Sequence, residues 1–180
     1  MRQGMNRRRL LAAGLALPLA RLAYAQPTCG ALTAPETEGP FFKPNSPKRV
    51  SLVEAGSRGT RLVVRGRVLS LRCAPVAGAL LDFWHADDDG DYDDQGFRYR
   101  GHQFADAEGR WQLETIVPAE YPGRTRHLHV KVQAPGRPIL TTQLYFPGDP
   151  GNGRDGLYRD ELALRAAARG EASFDFVVEA

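Results

Sequence analysis

The sequence predicts an all-β protein, a single-domain β-sandwich of mixed sheets with a proline-rich N-terminal arm and one short helix. Three observations support this prediction. After residue 60 the apolar residues fall into short runs, and turn pairs such as Asp89-Gly90, Glu108-Gly109 and Pro135-Gly136 separate the runs. No internal repeat or low-complexity linker divides residues 26–180, a length that suits one hydrophobic core. Many short strands separated by turns are typical of β-sandwiches and β-barrels.

Each predicted element follows from its local pattern. The segment from Pro35 to Pro47 is too rich in proline for regular structure and predicts an arm that lies over the domain. Six short apolar or alternating runs predict strands. They are Arg61 to Leu71, Gly78 to His85, Arg110 to Ile116, His127 to Gln133, Leu140 to Phe146 and Ala172 to Val178. Tyr158 to Ala168 is the one segment predicted to be helical.

Residues 1–25 are predicted to be an export signal, and residues 26–180 the folded domain. Three arginines at 7–9 precede an apolar run from Leu10 to Ala20, and Ala23-Tyr24-Ala25 forms a small-x-small cleavage site before Gln26. The run is too short to span a bilayer, so we expect no stable membrane anchoring. The arginines resemble a twin-arginine signal, and a general secretion signal is the alternative. Either signal predicts a periplasmic or secreted protein.

The charge of the mature chain argues against nucleic acid as a partner. The full sequence has 24 basic and 21 acidic residues. Five of the basic residues and none of the acidic ones lie in residues 1–25, which leaves 19 basic residues after cleavage. The net positive charge therefore belongs to the signal, and the remaining balance does not favour nucleic acid or an anionic membrane.

Cys29 and Cys73 are the two cysteines of the chain. An even number of cysteines in an exported protein favours a disulfide, which would tie the N-terminal arm to the body of the domain. Two unlinked thiols are the alternative. Neither cysteine lies near the histidines in sequence, so neither is predicted to bind a metal.

His127 and His129 stand one residue apart in the stretch "RTRHLHVKV". Successive side chains of a strand point to opposite faces, so the two imidazoles share one face while Leu128, Val130 and Val132 point towards a core. Two adjacent imidazoles can hold one metal ion. They can also form a polar strand surface that faces water, and the H-x-H pattern alone does not decide between these readings.

Two tyrosines add oxygen donors to this pair. Tyr92 follows a strand that is predicted to be buried, and Tyr121 precedes His127 by six residues. A phenol with an ordinary pKa of about 10 loses its proton at neutral pH only where a strongly charged cation favours the anion. A site with two phenolates and two imidazoles therefore indicates Fe(III) rather than zinc.

Five longer blocks occur in order along the chain. They are "TEGPFF" (Thr37 to Phe42), "DFWHADDDGDY" (Asp82 to Tyr92), "YRGHQFADAEG" (Tyr99 to Gly109), "TIVPAEYPGRTRHLH" (Thr115 to His129) and "TTQLYFPGD" (Thr141 to Asp149). In this order they resemble the intradiol ring-cleavage dioxygenases, the family of the catechol and protocatechuate dioxygenases. The resemblance covers most of the mature sequence.

The resemblance implies a set of site residues. It makes Tyr92, Tyr121, His127 and His129 the four protein ligands of one non-haem ferric ion per chain, with Tyr121 and His129 axial. It makes Tyr121 a catalytic residue that accepts a substrate proton. Arg124 falls on the family's active-site arginine, with catalytic and substrate-binding roles, and Gln143 falls on a substrate-binding glutamine. The residues alone would equally allow Arg124 to be a surface arginine, since Arg126 stands in the same turn.

The resemblance also implies the activity. The expected reaction is intradiol cleavage of a catechol-type aromatic diol by O2 to a cis,cis-muconate-type diacid. The expected partners are the small-molecule catechol and O2, and the protein would be a monomer or a homo-oligomer.

Two other functions fit an exported β-sandwich with an H-x-H strand. The first is a copper-binding protein of the superoxide dismutase or copper-carrier type, in which His85 or His102 would complete the site. The second is a non-enzymatic domain that binds saccharide or protein. The acidic run from Asp87 to Asp91 is predicted to be a solvated turn that delivers Tyr92. A calcium loop aligned on Gly90 would place Gly96 where a bidentate acid is required.

Overall fold

The computed structural model describes Met1 and residues 29–180, and nine β-strands form two sheets within this part of the chain. The strands are β1 Arg61–Ser70, β2 Leu80–Trp84, β3 Arg100–Phe104, β4 Arg110–Ile116, β5 His127–Gln133, β6 Leu140–Tyr145, β7 Arg165–Ala168, β8 Glu171–Ser173 and β9 Phe176–Val178. Short 3-10 helices occur at Asn152–Arg154 and Asp160–Leu162. Among the described residues no helix has the length and apolar character that a membrane span requires. The predicted export signal lies outside the described residues and stays a prediction.

The two sheets share one hydrophobic core. In the first sheet the order is β4-β1-β8-β7; β1 runs antiparallel to β4 and parallel to both β8 and β9. In the second sheet the order is β3-β2-β5-β6, and all its neighbours are antiparallel. The predicted all-β sandwich with mixed sheets is confirmed.

Strand β5 carries the alternation that the sequence predicted. Leu128, Val130 and Val132 are fully buried and join the core that packs between the sheets. Burying each of these side chains contributes roughly 1.5–3 kcal/mol to stability. His127 and His129 point to the other face, yet they are only 4% and 3% exposed. The face that holds the histidines is therefore not a water-facing strand surface.

The predicted helix from Tyr158 to Ala168 is wrong. This segment contains the 3-10 turn at Asp160–Leu162 and then strand β7. The Leu164 amide donates to the Tyr145 carbonyl at 2.8 Å, and β7 pairs with β8. Leu162 and Leu164 are both buried in the core. Alanine-rich sequence favours a helix only weakly, and here pairing with neighbouring strands and burial of the leucines override that preference.

Two further differences concern strands. Strand β3 was not predicted, because "RGHQF" has neither an apolar run nor a clear alternation. The predicted strand from Ala172 to Val178 is interrupted, and its two halves, β8 and β9, pair with successive parts of β1. The amide of Phe174, between the two halves, donates to the Arg65 carbonyl at 3.0 Å.

The proline-rich arm lies over the edge strand β6 without forming a strand itself. The Glu36 amide donates to the Thr141 carbonyl at 2.9 Å, and the Thr142 hydroxyl donates to the Ala34 carbonyl at 2.7 Å. Cys29 and Cys73 form a disulfide, with Cα atoms 5.4 Å apart, which confirms the favoured pairing. The arm is therefore fixed at its start by a covalent bond and along its length by backbone contacts with β6.

Replacing Gly66 with alanine is expected to destabilise the fold by about 3 kcal/mol or more. A Cβ atom at this position of β1 would lie 1.6 Å from the Phe174 carbonyl oxygen, so the strands that pair there would have to separate. Urea unfolding of the purified variant measures the loss. Gly153→Ala is the matched control, since its Cβ would meet no atom within 4 Å. Equal stability of the two variants would contradict the close approach at Gly66.

Candidate metal centre

Strand β5 carries the imidazoles of His127 and His129, and the loop after β2 brings the Tyr92 phenol beside them. The Tyr92 hydroxyl lies 3.4 Å from Nε2 of His127, and that nitrogen lies 3.0 Å from Nε2 of His129. Tyr92 comes from the loop after β2, which pairs with β5 so that Trp84 stands opposite His129. Three donor atoms from two separate parts of the chain thus converge at the end of the second sheet.

The hydrogen bond of His127 fixes which of its nitrogens is free to bind a metal. Its Nδ1 lies 2.6 Å from the Thr125 carbonyl oxygen, and since a carbonyl only accepts, Nδ1 carries the proton. Nε2 therefore presents a lone pair towards Tyr92 and His129. An outer hydrogen bond of this kind is the usual way in which proteins orient a metal-binding imidazole.

His129 is held by packing on two sides. Its ring stacks on Trp84 at 4.8 Å between centroids, and a Cβ atom built on Gly39 of the arm would lie 3.5 Å from its Cε1. Its Nδ1 is buried and has no hydrogen-bond partner among the described residues. With Nε2 facing His127, either neutral tautomer of the metal-free ring leaves a polar atom poorly satisfied, which is costly in a buried site.

Burial also sets the protonation state of both rings. Desolvation lowers the pKa of His127 to about 4 and lowers the pKa of His129 well below its ordinary value. Both imidazoles are therefore neutral at pH 7. Neutral imidazole is the form that binds metal ions.

Three aromatic rings form the wall opposite the histidines. Phe41 of the arm stacks on Tyr92 at 4.2 Å, and Tyr121 lies edge-on to both, at 5.3 Å from Phe41 and 5.9 Å from Tyr92. Tyr121 is partly exposed and starts the turn that ends at Arg124, whose amide donates to the Tyr121 carbonyl at 2.8 Å. The ring of Tyr121 thus packs against the rings of Phe41 and Tyr92, and Tyr121, like Tyr92, is partly exposed.

The donor set fits a hard, highly charged cation. Burial raises the pKa of Tyr92, with Arg124 and Arg100 opposing the effect, so its phenol stays protonated unless a strong cation binds its oxygen. The two neutral imidazoles add nitrogen donors without adding charge. The residues present therefore suit Fe(III), which the sequence predicted for this site.

Arg124 is fixed by a network behind the donor atoms. Its Nε donates to both carboxylate oxygens of Asp155, at 2.9 and 3.1 Å. Its Nη2 donates to Oε1 of Gln143 at 2.6 Å, and the amide nitrogen of Gln143 donates to the Thr37 carbonyl of the arm at 2.9 Å. Gln143 stands opposite His129 in the pairing of β5 with β6. Arg124 and Gln143, the two site residues that the resemblance implies in addition to the metal ligands, are thus hydrogen-bonded to each other.

Sequence reasoning missed two members of this network. The Tyr145 hydroxyl, with one proton to donate, lies 2.8 Å from the Leu157 carbonyl oxygen and 3.1 Å from Oε1 of Gln143. Tyr145 lies two residues after Gln143 on β6 and therefore on the same face, so the strand period could have identified it. Asp155 comes from a loop distant in sequence, where nothing local distinguishes it from its acidic neighbours.

The other two histidines lie elsewhere. Both ring nitrogens of His85 are engaged at 2.6 Å, one with the Ala86 carbonyl and the other with the Thr115 hydroxyl, and burial lowers the pKa of His85 to about 4. Nδ1 of His102 bonds the Ser46 carbonyl at 2.7 Å. Neither histidine joins His127 and His129, so the third histidine that the copper alternative needs is not at the site.

The acidic run forms the predicted turn, with one correction. Asp87 is buried rather than solvated, since its carboxylate accepts hydrogen bonds from the amides of Asp89 and Asp91 and from Arg98. The carboxylates of Asp87, Asp88 and Asp89 can approach one another closely enough to face one ion, but acidic clusters are common without one. Asp87 shapes the turn that leads to Tyr92.

Comparison with known proteins relates this geometry to a family. A family model described as Dioxygenase matches residues 37–177. The chlorocatechol 1,2-dioxygenase of Pseudomonas sp. (strain P51) is 34% identical over 149 residues, which cover 69% of this chain and 59% of that protein. The hydroxyquinol 1,2-dioxygenase of Nocardioides simplex is 30% identical over 173 residues, covering 83% of this chain and 59% of that protein. The chain thus spans about 60% of the length of these relatives.

Solved structures agree with the sequence comparison. The dioxygenase domain of a dioxygenase carbohydrate-binding protein fusion from Streptomyces sp. SirexAA-E is 55% identical, with a TM-score of 0.79 over 83% of this chain and 99% of that one. The 3-chlorocatechol 1,2-dioxygenase of Rhodococcus opacus 1CP is 31% identical, with a TM-score of 0.74 over 81% of this chain and 71% of that one. With the fold, the converging donors and a family match over most of the described residues, the chain belongs to the intradiol ring-cleavage dioxygenase family.

Proposed function

We propose that this protein is a non-haem Fe(III) dioxygenase that cleaves a catechol-type aromatic diol between its two hydroxylated carbons. O2 is the co-substrate, and the product is a cis,cis-muconate-type diacid. The observation that carries the proposal is the convergence of the Tyr92 hydroxyl with Nε2 of His127 and of His129. Membership of a family whose enzymes depend on non-haem iron supports it.

In this proposal Tyr92, Tyr121, His127 and His129 hold one ferric ion per chain. The two imidazoles are already neutral and oriented, so binding requires loss of the phenol protons alone. When bound, the ferric ion supplies Lewis acidity, which draws electron density from a catecholate and balances the phenolate charges. The Phe41 ring covers one face of Tyr92, and the buried Trp84 ring covers one face of His129.

Tyr121 is the proposed acceptor in proton transfer from the substrate. A catechol has to lose both hydroxyl protons before it can bind through both oxygens. Tyr121 is partly exposed, and its backbone bridges to that of Arg124 across the turn that holds both residues. We assign the Tyr121 phenolate oxygen as the acceptor of one substrate proton.

Arg124 supplies a fixed positive charge beside the substrate. Asp155 holds one edge of the guanidinium and Gln143 holds Nη2, while Nη1 has no partner among the described residues. Nη1 is therefore available to a substrate oxygen or to the ring carbon that gains negative charge when O2 adds. A charge that is already oriented costs no reorganisation during the reaction, which is the main source of electrostatic catalysis.

Iron binding by tyrosine is expected to give a reddish-brown protein with a broad visible absorption band. Oxygen uptake with catechol, protocatechuate and hydroxyquinol would identify accepted diols, and labelled O2 would deliver both atoms to the diacid. Tyr92→Phe and Tyr121→Phe should each weaken or move the band and lower kcat by more than about tenfold. Tyr158→Phe is the matched control and should change neither, since it keeps the partly buried ring and removes only a hydroxyl that bonds Asp160. An active but colourless protein would contradict the proposal.

A further inference from the structure

Arg100 is a buried arginine that has no acidic partner. It begins β3, it is 1% exposed, and it forms no ion pair with any side chain in the described part of the chain. Its Nη1 donates to the Phe41 carbonyl at 2.5 Å and its Nη2 donates to the Asp93 carbonyl at 3.3 Å, while Nε is unpartnered. Burial lowers the pKa of Arg100, and the carboxylates of Asp93, Asp94 and Asp82 oppose this effect without forming an ion pair with the guanidinium. Burying a guanidinium whose direct partners are carbonyl groups is unfavourable for folding.

The two carbonyls belong to the segments that enclose Tyr92. Phe41 lies in the arm, and its ring stacks on the Tyr92 ring with an interplanar angle of 9°. Asp93 directly follows Tyr92 in the loop after β2. The guanidinium carbon of Arg100 itself lies 6.0 Å from the centroid of the Tyr92 ring. Arg100 therefore links Phe41, whose ring lies over the Tyr92 ring, to Asp93, the residue that follows Tyr92.

The Tyr92 hydroxyl makes no other bond that would fix its direction in the described structure. Its one hydrogen-bond contact is the 3.4 Å approach to Nε2 of His127. Its orientation thus depends on the rings packed around it, of which Phe41 is the one stacked on it, and on its own backbone. Arg100 bonds the backbone at Phe41 and at Asp93.

We infer that Arg100 is a positioning residue for Tyr92, linking the arm at Phe41 to the loop at Asp93 so that the Tyr92 hydroxyl stays directed at the two imidazoles. The inference rests on the proposed function in taking Tyr92 as an iron ligand. When Tyr92 binds a ferric ion as phenolate, the buried guanidinium also gains an anion nearby, in surroundings where charges are weakly screened. Arg100 acts through Tyr92 and does not touch the substrate.

The first experiment uses metal-free protein, so it does not depend on activity. Wild type, Arg100→Met and Arg100→Lys are labelled with 3-fluorotyrosine, and the fluorine resonance of Tyr92 is assigned with Tyr92→Phe. In both Arg100 variants this resonance is expected to shift and broaden. Methionine donates to neither carbonyl, and lysine replaces the two terminal guanidinium nitrogens, each bonded to a different carbonyl, with a single nitrogen. The Tyr158 resonance should stay unchanged.

Lys43→Met is the matched control. Lys43 also links the arm to this loop, through the Asp94 and Gly96 carbonyls at 2.9 and 2.7 Å, but it does not reach Phe41 or Asp93. Its loss should leave the Tyr92 resonance in place. In iron-loaded protein, Arg100→Met should move the visible band and lower kcat about 10- to 100-fold, with a smaller change in KM, whereas Lys43→Met should do neither.

An unchanged Tyr92 resonance in the Arg100 variants would overturn the inference, and if Arg100→Met does not fold, Arg100→Lys decides by the same criterion. The two proposals fail separately. A wild type without band or activity whose Tyr92 resonance still responds to Arg100 would refute the proposed function alone. An active, coloured wild type with an unresponsive resonance would refute the role of Arg100 alone.

Discussion

Replacing His129 with glutamine is expected to remove iron from the protein and with it the dioxygenase activity. Glutamine has similar polarity and nearly fills the space, but it offers no ring nitrogen at the position of Nε2, 3.0 Å from His127. Changes to groups that merely orient a ligand already cost about 10- to 100-fold in metal affinity, so loss of a ligand should exceed about 100-fold. Iron content after gel filtration and ferric-ion titration measure the effect.

His85→Gln is the matched control for this prediction. His85 is a buried histidine at the end of β2, and both its nitrogens bond protein groups rather than facing the site. Its replacement should lower stability, because buried hydrogen bonds are lost, yet leave the iron content near that of wild type. Far-ultraviolet circular dichroism checks that both variants fold. Full iron occupancy in His129→Gln, or iron loss confined to His85→Gln, would contradict the placement of the site.

The fold was predictable where burial on one face of a strand leaves a period of two in the sequence. Leu128, Val130 and Val132 alternate with polar residues, and the structure buries all three. Strand β3 had no such signal, since "RGHQF" is polar at most positions. The segment from Tyr158 to Ala168 was mistaken for a helix because its alanines favour one locally, whereas its actual structure depends on β6 and β8, which lie elsewhere in the sequence.

The candidate site also contains some residues that the sequence predicts and others that it does not. The pairing of His127 with His129 follows from their spacing alone, whereas the approach of Tyr92 required the register of β2 against β5. Arg100 and Asp155 act through contacts across long sequence separations, to Phe41 and Arg124. A single sequence contains no periodic trace of such contacts, so residues that support a site from a distance were invisible to pattern reasoning.

Replacing Arg124 with leucine is expected to lower kcat by about 100- to 1000-fold while iron stays bound. The guanidinium is the cation that Asp155 and Gln143 hold beside the donor atoms, and leucine keeps the bulk without the charge or the donors. Steady-state oxygen uptake together with the visible absorption band separates this effect from metal loss. Arg126→Leu is the matched control, since Arg126 stands in the same turn but is 45% exposed and pairs with Asp149. A surface change of this kind should alter kcat by no more than about twofold.

Asp155→Asn tests whether the ion pair with Asp155 is needed for the catalytic effect of Arg124. Burial raises the pKa of Asp155, but hydrogen bonds from the Leu157 amide and from Arg124 outweigh it, so the pKa lies below the ordinary value and Asp155 is anionic at pH 7. Asparagine keeps the shape and loses the charge, and kcat should fall about 10- to 100-fold. Asp155 also accepts the amides of Thr125 and Leu157. If its effect on kcat comes from holding Arg124, the double variant Arg124→Leu with Asp155→Asn should be no slower than Arg124→Leu alone. Additive losses in the double variant would show that Asp155 has an independent role, and a wild-type kcat in Asp155→Asn would show that the ion pair does not position Arg124.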